Sequence, residues 1–76
     1  MNNRRRERIR KVIDQVEEMK DELQDIQRDE EDCFDNLPES LQESERGEKM
    51  EEAIDALEEA MDSLEEAVDS LNTAME

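Results

Sequence analysis

The sequence predicts an all-α fold: an antiparallel two-helix hairpin, similar to a coiled coil, that pairs with a second copy into a four-helix bundle. Three observations predict it. A seven-residue unit occurs three times in succession between Glu51 and Leu71, as EEAIDAL, EEAMDSL and EEAVDSL. Apolar residues follow alternating spacings of three and four in both halves of the chain, as helices that pack lengthwise require. The single proline, Pro38, separates the halves and cannot lie inside a continuing helix.

The first helix is predicted from about residue 4 to about residue 36. Ile13 and Phe34 widen its apolar stripe on one side, and Glu30 falls where the pattern expects an apolar residue. Two interpretations of Glu30 stay open: it reaches water where the helices separate, or it fixes the register as a buried polar residue. The predicted seam consists of Ile9, Val12, Val16, Met19, Leu23, Ile26, Cys33 and Leu37.

The connection is predicted over residues 37–43. Pro38 can begin one short helical turn, and the apolar side chains beside it are expected to close the end of the hairpin; these are Phe34, Leu37 and Leu41. Ser44 is the expected N-cap of the second helix. Gly47, the only glycine, is expected where the loop backbone approaches that helix closely.

The second helix is predicted from about residue 44 to about residue 75, which completes a single domain over residues 1–76. Alanines at 53, 60 and 67 flank its seam and permit close helix approach. Each helix thus carries an apolar stripe three positions wide, which one neighbouring helix covers only in part. This favours two hairpins in a four-helix bundle, with a self-standing monomer as the alternative. The seam residues are Ile54, Leu57, Met61, Leu64, Val68 and Leu71.

The charge is strongly acidic and unevenly distributed. The chain has 26 acids, 10 bases and a net charge of −16. The first eleven residues hold six of the bases, between Arg4 and Lys11. A hairpin brings this segment beside the end of the second helix, so ion pairs are expected there, within one chain or across a dimer. The expected partners are Glu65, Glu66, Asp69 and Glu76.

The residue types argue against an enzyme or a cofactor protein. There is no histidine, tyrosine or tryptophan, and Cys33 is the only cysteine. Acidic neighbours disfavour a reactive Cys33 thiolate, so a buried, reduced core residue is expected there. No metal site is predicted, because the acidic run Asp29–Asp32 lacks the spacing and the glycine of a calcium loop. The sequence has no apolar run long enough to predict a membrane span or a signal peptide. A cytoplasmic location is therefore expected.

The second helix carries an acidic surface that stability alone does not explain. From Met50 to the end there are ten acids and no base, although like charges four residues apart destabilise a helix. Such a surface repels nucleic acid, and its charge density approaches that of duplex DNA. It therefore predicts mimicry of nucleic acid on a basic protein partner. The candidate residues, called the acidic face below, are Glu51, Glu52, Asp55, Glu58, Glu59, Asp62, Glu65, Glu66 and Asp69.

The loop carries a resemblance to a group of small acidic proteins. Its sequence reads NLPESLQ from Asn36 and SERGE from Ser44, followed by acidic heptads. This pattern resembles proteins encoded in phages and mobile elements of Gram-positive, often gut-dwelling, bacteria. The resemblance implies a setting, an accessory protein that acts on host machinery, and no activity. The prediction is a non-enzymatic inhibitor of a DNA-binding or defence protein. The alternative is a structural oligomerisation module without mimicry.

Overall fold

Two long helices lie antiparallel in a computed structural model that describes all 76 residues, Met1–Glu76. Helix α1 spans Asn3–Asp35, the single turn α2 spans Glu39–Gln42, and α3 spans Glu45–Ala74. The molecule is an extended hairpin of 58 × 15 × 11 Å. The predicted all-α antiparallel hairpin is confirmed, and its pairing with a second copy stays a prediction.

The helix ends follow from local side-chain chemistry. Asn2 caps α1, since its Oδ1 accepts a hydrogen bond of 2.9 Å from the Arg5 amide. The backbone stops being helical after Asp35 and resumes as a short turn after Pro38. Ser44 caps α3, as expected, because its Oγ accepts from the Gly47 amide at 3.4 Å. Capping hydroxyls and amides satisfy N–H groups that have no partner inside the helix.

The turn between the helices is held by a polar contact as well as by apolar side chains. Gln42 Nε2 donates to the Phe34 carbonyl oxygen at 3.0 Å and so ties α2 to the end of α1. Phe34 and Leu37 are half-buried. Leu41 is 40% exposed, so the expectation that it closes the end of the hairpin is wrong. The four-residue turn α2 contains no buried residue.

Gly47 is required by close packing of the loop. A Cβ atom placed on Gly47 would overlap the carbonyl oxygen of Gln42 and lie 2.7 Å from the Gln42 Cα atom. Since backbone atoms cannot move aside as a side chain can, only glycine fits here. The predicted close approach of the loop backbone is therefore present.

The contact between α1 and α3 is a narrow seam with little fully buried surface. On α3 it contains the six predicted residues, of which Val68 is buried and the others are half-buried. Val16 of α1 is the only other buried apolar side chain. Two heptad rows of α1 face α3, and their buried or half-buried members are Arg6, Ile9, Ile13, Val16, Lys20, Leu23, Gln27, Glu30 and Phe34.

Four predicted seam residues of α1 do not face α3 in the single chain, so their place in an oligomer seam stays a prediction. Val12, Met19 and Ile26 are 44%, 47% and 48% exposed, and Cys33 is also exposed. The residues one position later, from Ile13 to Phe34, take their place against α3. Cys33 is thus not a core residue. Glu30 is half-buried at the seam. It is therefore neither fully exposed to water nor a fully buried polar residue, the two interpretations that the sequence left open.

Candidate interaction surfaces

The hairpin has two long edges, one on each side of the seam, and they differ in chemistry. One edge is polar and is called the ionic edge: Lys20 and Gln27 of α1 with Glu58 and Glu65 of α3. Lys20 Nζ donates to Glu65 Oε2 and lies 3.5 Å from Glu17. Gln27 is buried, and its Nε2 donates to the Ile54 carbonyl at 3.1 Å and to Glu58 Oε2 at 2.9 Å.

These bonds explain the register of α1. Two heptad readings of α1 share Ile9, Val16 and Leu23 and differ in the row beside them. The apolar row would place Met19 and Ile26 against α3, whereas the observed row places Lys20 and Gln27 there. The second row is stabilised because Glu65 and Glu58, seven residues apart, meet Lys20 and Gln27, also seven apart. Hydrogen bonding to Glu65, with the nearby charge of Glu17, raises the pKa of Lys20 above its ordinary value.

The opposite edge is apolar. On α1, the exposed residues Val12, Met19, Ile26 and Cys33 lie seven apart, on the side of the seam away from Lys20 and Gln27. On α3, alanines lie seven apart on the side away from Glu58 and Glu65. Together these two rows are called the apolar edge; the alanines are Ala53, Ala60, Ala67 and Ala74.

The molecule has two shallow grooves, one at each end of the hairpin. The first, about 340 Å³, lies on the apolar edge: its apolar floor includes Val12 and Leu71, with Arg5 and Arg8 at its rim. The second, about 530 Å³, lies beside the loop and is bounded by Glu30, Arg46, Lys49 and Met50 together with Glu45. The apolar edge therefore ends in positive charge at the N-terminal end of α1 only, because the charges of the second groove cancel and its Lys49 is paired with Glu45.

The acidic face is exposed in full. Its nine carboxylates occupy three adjacent rows of α3, between the ionic edge and the outer side of the helix. Glu58 and Glu65 are engaged by Gln27 and Lys20. The other seven have no hydrogen bond or ion pair from any side chain; they are Glu51, Glu52, Asp55, Glu59, Asp62, Glu66 and Asp69. The structure thus brings the predicted residues to one surface.

The N-terminal basic residues do not pair with α3 as expected within one chain. The four ion pairs of the structure involve Lys20 with Glu17 and Glu65, Arg28 with Asp25, and Lys49 with Glu45. Arg6 instead donates through Nε to the Met75 carbonyl at 2.8 Å. A cation is favourable at this position, because the carbonyl groups at a helix C-terminus carry partial negative charge. The remaining N-terminal bases are free of ion pairs.

Sequence reasoning missed the roles of Lys20 and Gln27. Polar residues in a seam are easily read as solvent-facing, and the fully apolar row beside them gave the stronger heptad. A signal was present in the matched seven-residue spacings of Lys20–Gln27 and Glu58–Glu65. No group of three or more potential metal-ligating side chains is assembled. Neither long helix has the uncharged apolar stretch needed to cross a bilayer.

Comparison with protein-family models, curated proteins and solved structures finds no match to this chain. The resemblance of the loop to small acidic phage proteins therefore stays a prediction. The fold defines the chain as a small extended helical hairpin with separate acidic and apolar surfaces.

Proposed function

We propose that this chain is a non-enzymatic interaction protein whose acidic face occupies a basic site on a protein that otherwise holds nucleic acid. The observation that supports this is the set of seven carboxylates on α3 with no partner inside the molecule. Their mutual repulsion disfavours the helix. A basic partner would turn the same repulsion into favourable binding energy.

The charge density sharpens this proposal. The net charge of −16 over the 58 Å long axis gives one negative charge per about 3.6 Å. Duplex DNA carries one per about 1.7 Å, so a single hairpin is about half as dense. Two hairpins side by side would carry one charge per about 1.8 Å over the same length. Mimicry of a duplex is therefore a function of the pair, whereas one chain is closer in density to a single strand.

We infer a phage or mobile-element setting from the resemblance of the loop alone. A phage or mobile-element protein that blocks a host DNA-binding or defence protein would need a stable, charged rod and no active site. The partner would be recognised by a groove of lysine and arginine side chains. Binding between such surfaces is steered by long-range attraction and weakens with ionic strength.

The test is competition on immobilised full-length chain. Proteins retained from a host lysate at low salt are challenged with a short DNA duplex, and the proposal expects a basic protein to be displaced. The triple variant Asp55→Asn, Glu59→Gln, Asp62→Asn removes three free carboxylates and should lose this protein. The matched control Asp14→Asn, Glu18→Gln, Asp21→Asn changes three exposed acids with the same spacing on α1 and should retain it. Equal retention by both variants would contradict the proposal.

A second candidate function is favoured by the apolar edge. An oligomerising module without mimicry would depend on exposed apolar residues such as Met19 and Ile26, and amide substitutions on α3 would leave it intact. Function would then be lost on Ile26→Glu and kept on the triple amide change. The triple amide change therefore separates the two candidates, because it removes mimicry and leaves an oligomerising module intact.

A further inference from the structure

We propose that a second copy of this chain covers the apolar edge, with α1 of each copy packed against α3 of the other and both loops at the same end. The relation is a twofold axis parallel to the long axis of the hairpin. This arrangement does not depend on the acidic face or on any other partner. It assigns a binding role to Val12, Met19, Ile26 and Cys33, which the hairpin itself leaves in water.

The face of the hairpin that contains the apolar edge has the dimensions of a stable interface. Between Cα atoms the whole face measures 58 by 15 Å, a flat area of about 870 Å² per copy. Stable protein interfaces bury about 800 Å² per partner. Only Val16 and Val68 are buried apolar side chains in the single chain. Chains of this size commonly gain the missing burial by association.

The two rows of the apolar edge have complementary shapes. Lys20 lies opposite Glu65 and Gln27 opposite Glu58, which fixes the relative height of the two helices. At this register each large residue of α1 is level, within about one residue or 1.5 Å, with an alanine of α3. A twofold axis along the hairpin preserves height, so large side chains of one copy meet small ones of the other. The expected pairs are Val12 with Ala74, Met19 with Ala67, Ile26 with Ala60, and Cys33 with Ala53.

The difference in net charge between α1 and α3 favours this axis over the perpendicular one. Helix α3 has 11 acids and 2 bases, a net of −9, while α1 has 12 acids and 8 bases, a net of −4. A perpendicular axis would set α3 directly against α3. The proposed axis places the two α3 helices diagonally and gives each an α1 neighbour. It also brings Arg5 and Arg8, which have no ion pair in the single chain, close to the C-terminus of the other copy's α3, where the helix carbonyl groups carry partial negative charge.

A second copy also explains why the edge is neutral while its surroundings are not. Two chains of net −16 repel one another, and they can approach only through a face with little charge of its own. The apolar edge is the one face of the hairpin that meets this condition along its length. A closed, isologous pair then leaves both acidic faces in solvent.

The first test is sedimentation of the full-length chain at about 0.15 M salt, where the Debye length is about 8 Å. We expect a mass twice the 9.0 kDa of the chain. Met19→Glu with Ile26→Glu should give a monomer with retained helical circular dichroism, since both sites are half exposed already. Met19→Gln with Ile26→Gln, which adds no charge, should weaken the dimer at least about tenfold.

The matched control adds the same two charges at the other edge. Gln24→Glu and Asn72→Glu lie in the rows of Glu17 and Glu65, beside the ionic edge, and should leave the dimer intact. A wild-type monomer at all concentrations would overturn the proposal. So would a dimer that survives the Met19 and Ile26 changes, or one lost equally in the control.

The second test measures orientation. A spin label at Ser40→Cys, in a Cys33→Ala chain, reports the distance between the two loops. Loops at the same end should give roughly 20–35 Å, because packed helix axes are 8–10 Å apart. A distance near the 58 Å length of the hairpin would show the perpendicular axis and overturn the proposed arrangement.

Discussion

The two long edges of this hairpin differ in whether their α1 side chains find partners within the chain. At the ionic edge, Lys20 and Gln27 reach across the seam and bond to Glu65 and Glu58. At the apolar edge, Met19 and Ile26 reach nothing in the chain and remain about half exposed. An edge that is satisfied internally needs no partner, whereas an apolar row at heptad spacing indicates one. The difference teaches that α1 has two packing rows, one for its own hairpin and one for another chain.

The largest effect should come from the seam that both edges share. Val68→Asp buries an unpaired charge at a site that is 6% exposed, which costs about 3–5 kcal/mol, enough to unfold a hairpin with so small a core. The neighbouring change Ala67→Asp places the same charge on the apolar edge. It should preserve the helix and abolish only the dimer. Circular dichroism and sedimentation of the two variants check this, and equal unfolding of both would contradict the separation of seam and edge.

The next effect concerns the loop that sets the register of both edges. Replacing glycine by alanine inside a helix normally stabilises it by about 1 kcal/mol. Gly47→Ala should instead destabilise by about 1–3 kcal/mol, because the new Cβ meets the Gln42 backbone. Urea denaturation measures the change in the free energy of unfolding. The control is Ser70→Ala at an exposed position, which should stabilise the helix slightly. A stabilised Gly47→Ala variant would show that the loop packs differently.

A smaller effect sharpens the account of the ionic edge. Gln27→Ala removes a buried amide and its hydrogen bonds to the Ile54 carbonyl and Glu58, at a cost of about 1–2 kcal/mol. Gln27→Met keeps the volume and should cost less than half as much. Thermal unfolding of both variants distinguishes hydrogen bonding from packing. Equal losses would mean that Gln27 acts by volume alone.

The smallest effect should come from Lys20→Met. The pKa of Lys20 is raised by its bond to Glu65, so the pair stabilises the fold below the unfolded lysine pKa of about 10.4. That contribution is lost as pH rises through the folded pKa. Wild type should melt slightly above Lys20→Met at neutral pH, and the difference should disappear in strong base or at high salt. A difference that persists in strong base, where Lys20 is deprotonated in the folded state as well, would point to packing of the lysine stem.

The sequence predicted α3 better than α1 for a physical reason. Three nearly identical heptads leave α3 only one apolar reading, so Ile54, Leu57 and Val68 were placed correctly against α1. On α1 the row of Met19 and Ile26 and the row of Lys20 and Gln27 lie on adjacent lines of one helix. Hydrophobicity alone prefers the first row. The partners that Glu58 and Glu65 supply across the seam favour the second row, in which Ile13 and Phe34 are also half-buried. Such pairing depends on the register between the helices, which the sequence of one helix does not contain.

The surfaces were predictable to a similar degree. The acidic face follows from the absence of any base after Met50 and from helical geometry, and the structure shows it exposed. The Ser44 cap and the Gly47 contact also followed from residue type and position. The position of the apolar edge did not, because its α1 residues were assigned to one seam with Ile9, Val16 and Leu23, and only the structure shows that the single hairpin leaves them exposed. Because these apolar residues are exposed at heptad spacing, they offer a surface on which another helix can pack.

Salt provides the most direct measurement of the central claim, that the apolar edge joins two copies while the acidic faces stay free. Screening reduces repulsion between chains of net −16, and salt does not weaken apolar contact. Between about 50 and about 500 mM salt, the sedimentation mass of the purified chain should therefore rise toward twice 9.0 kDa. A mass that stays at 9.0 kDa throughout, or a dimer that dissociates as salt is added, would contradict the account.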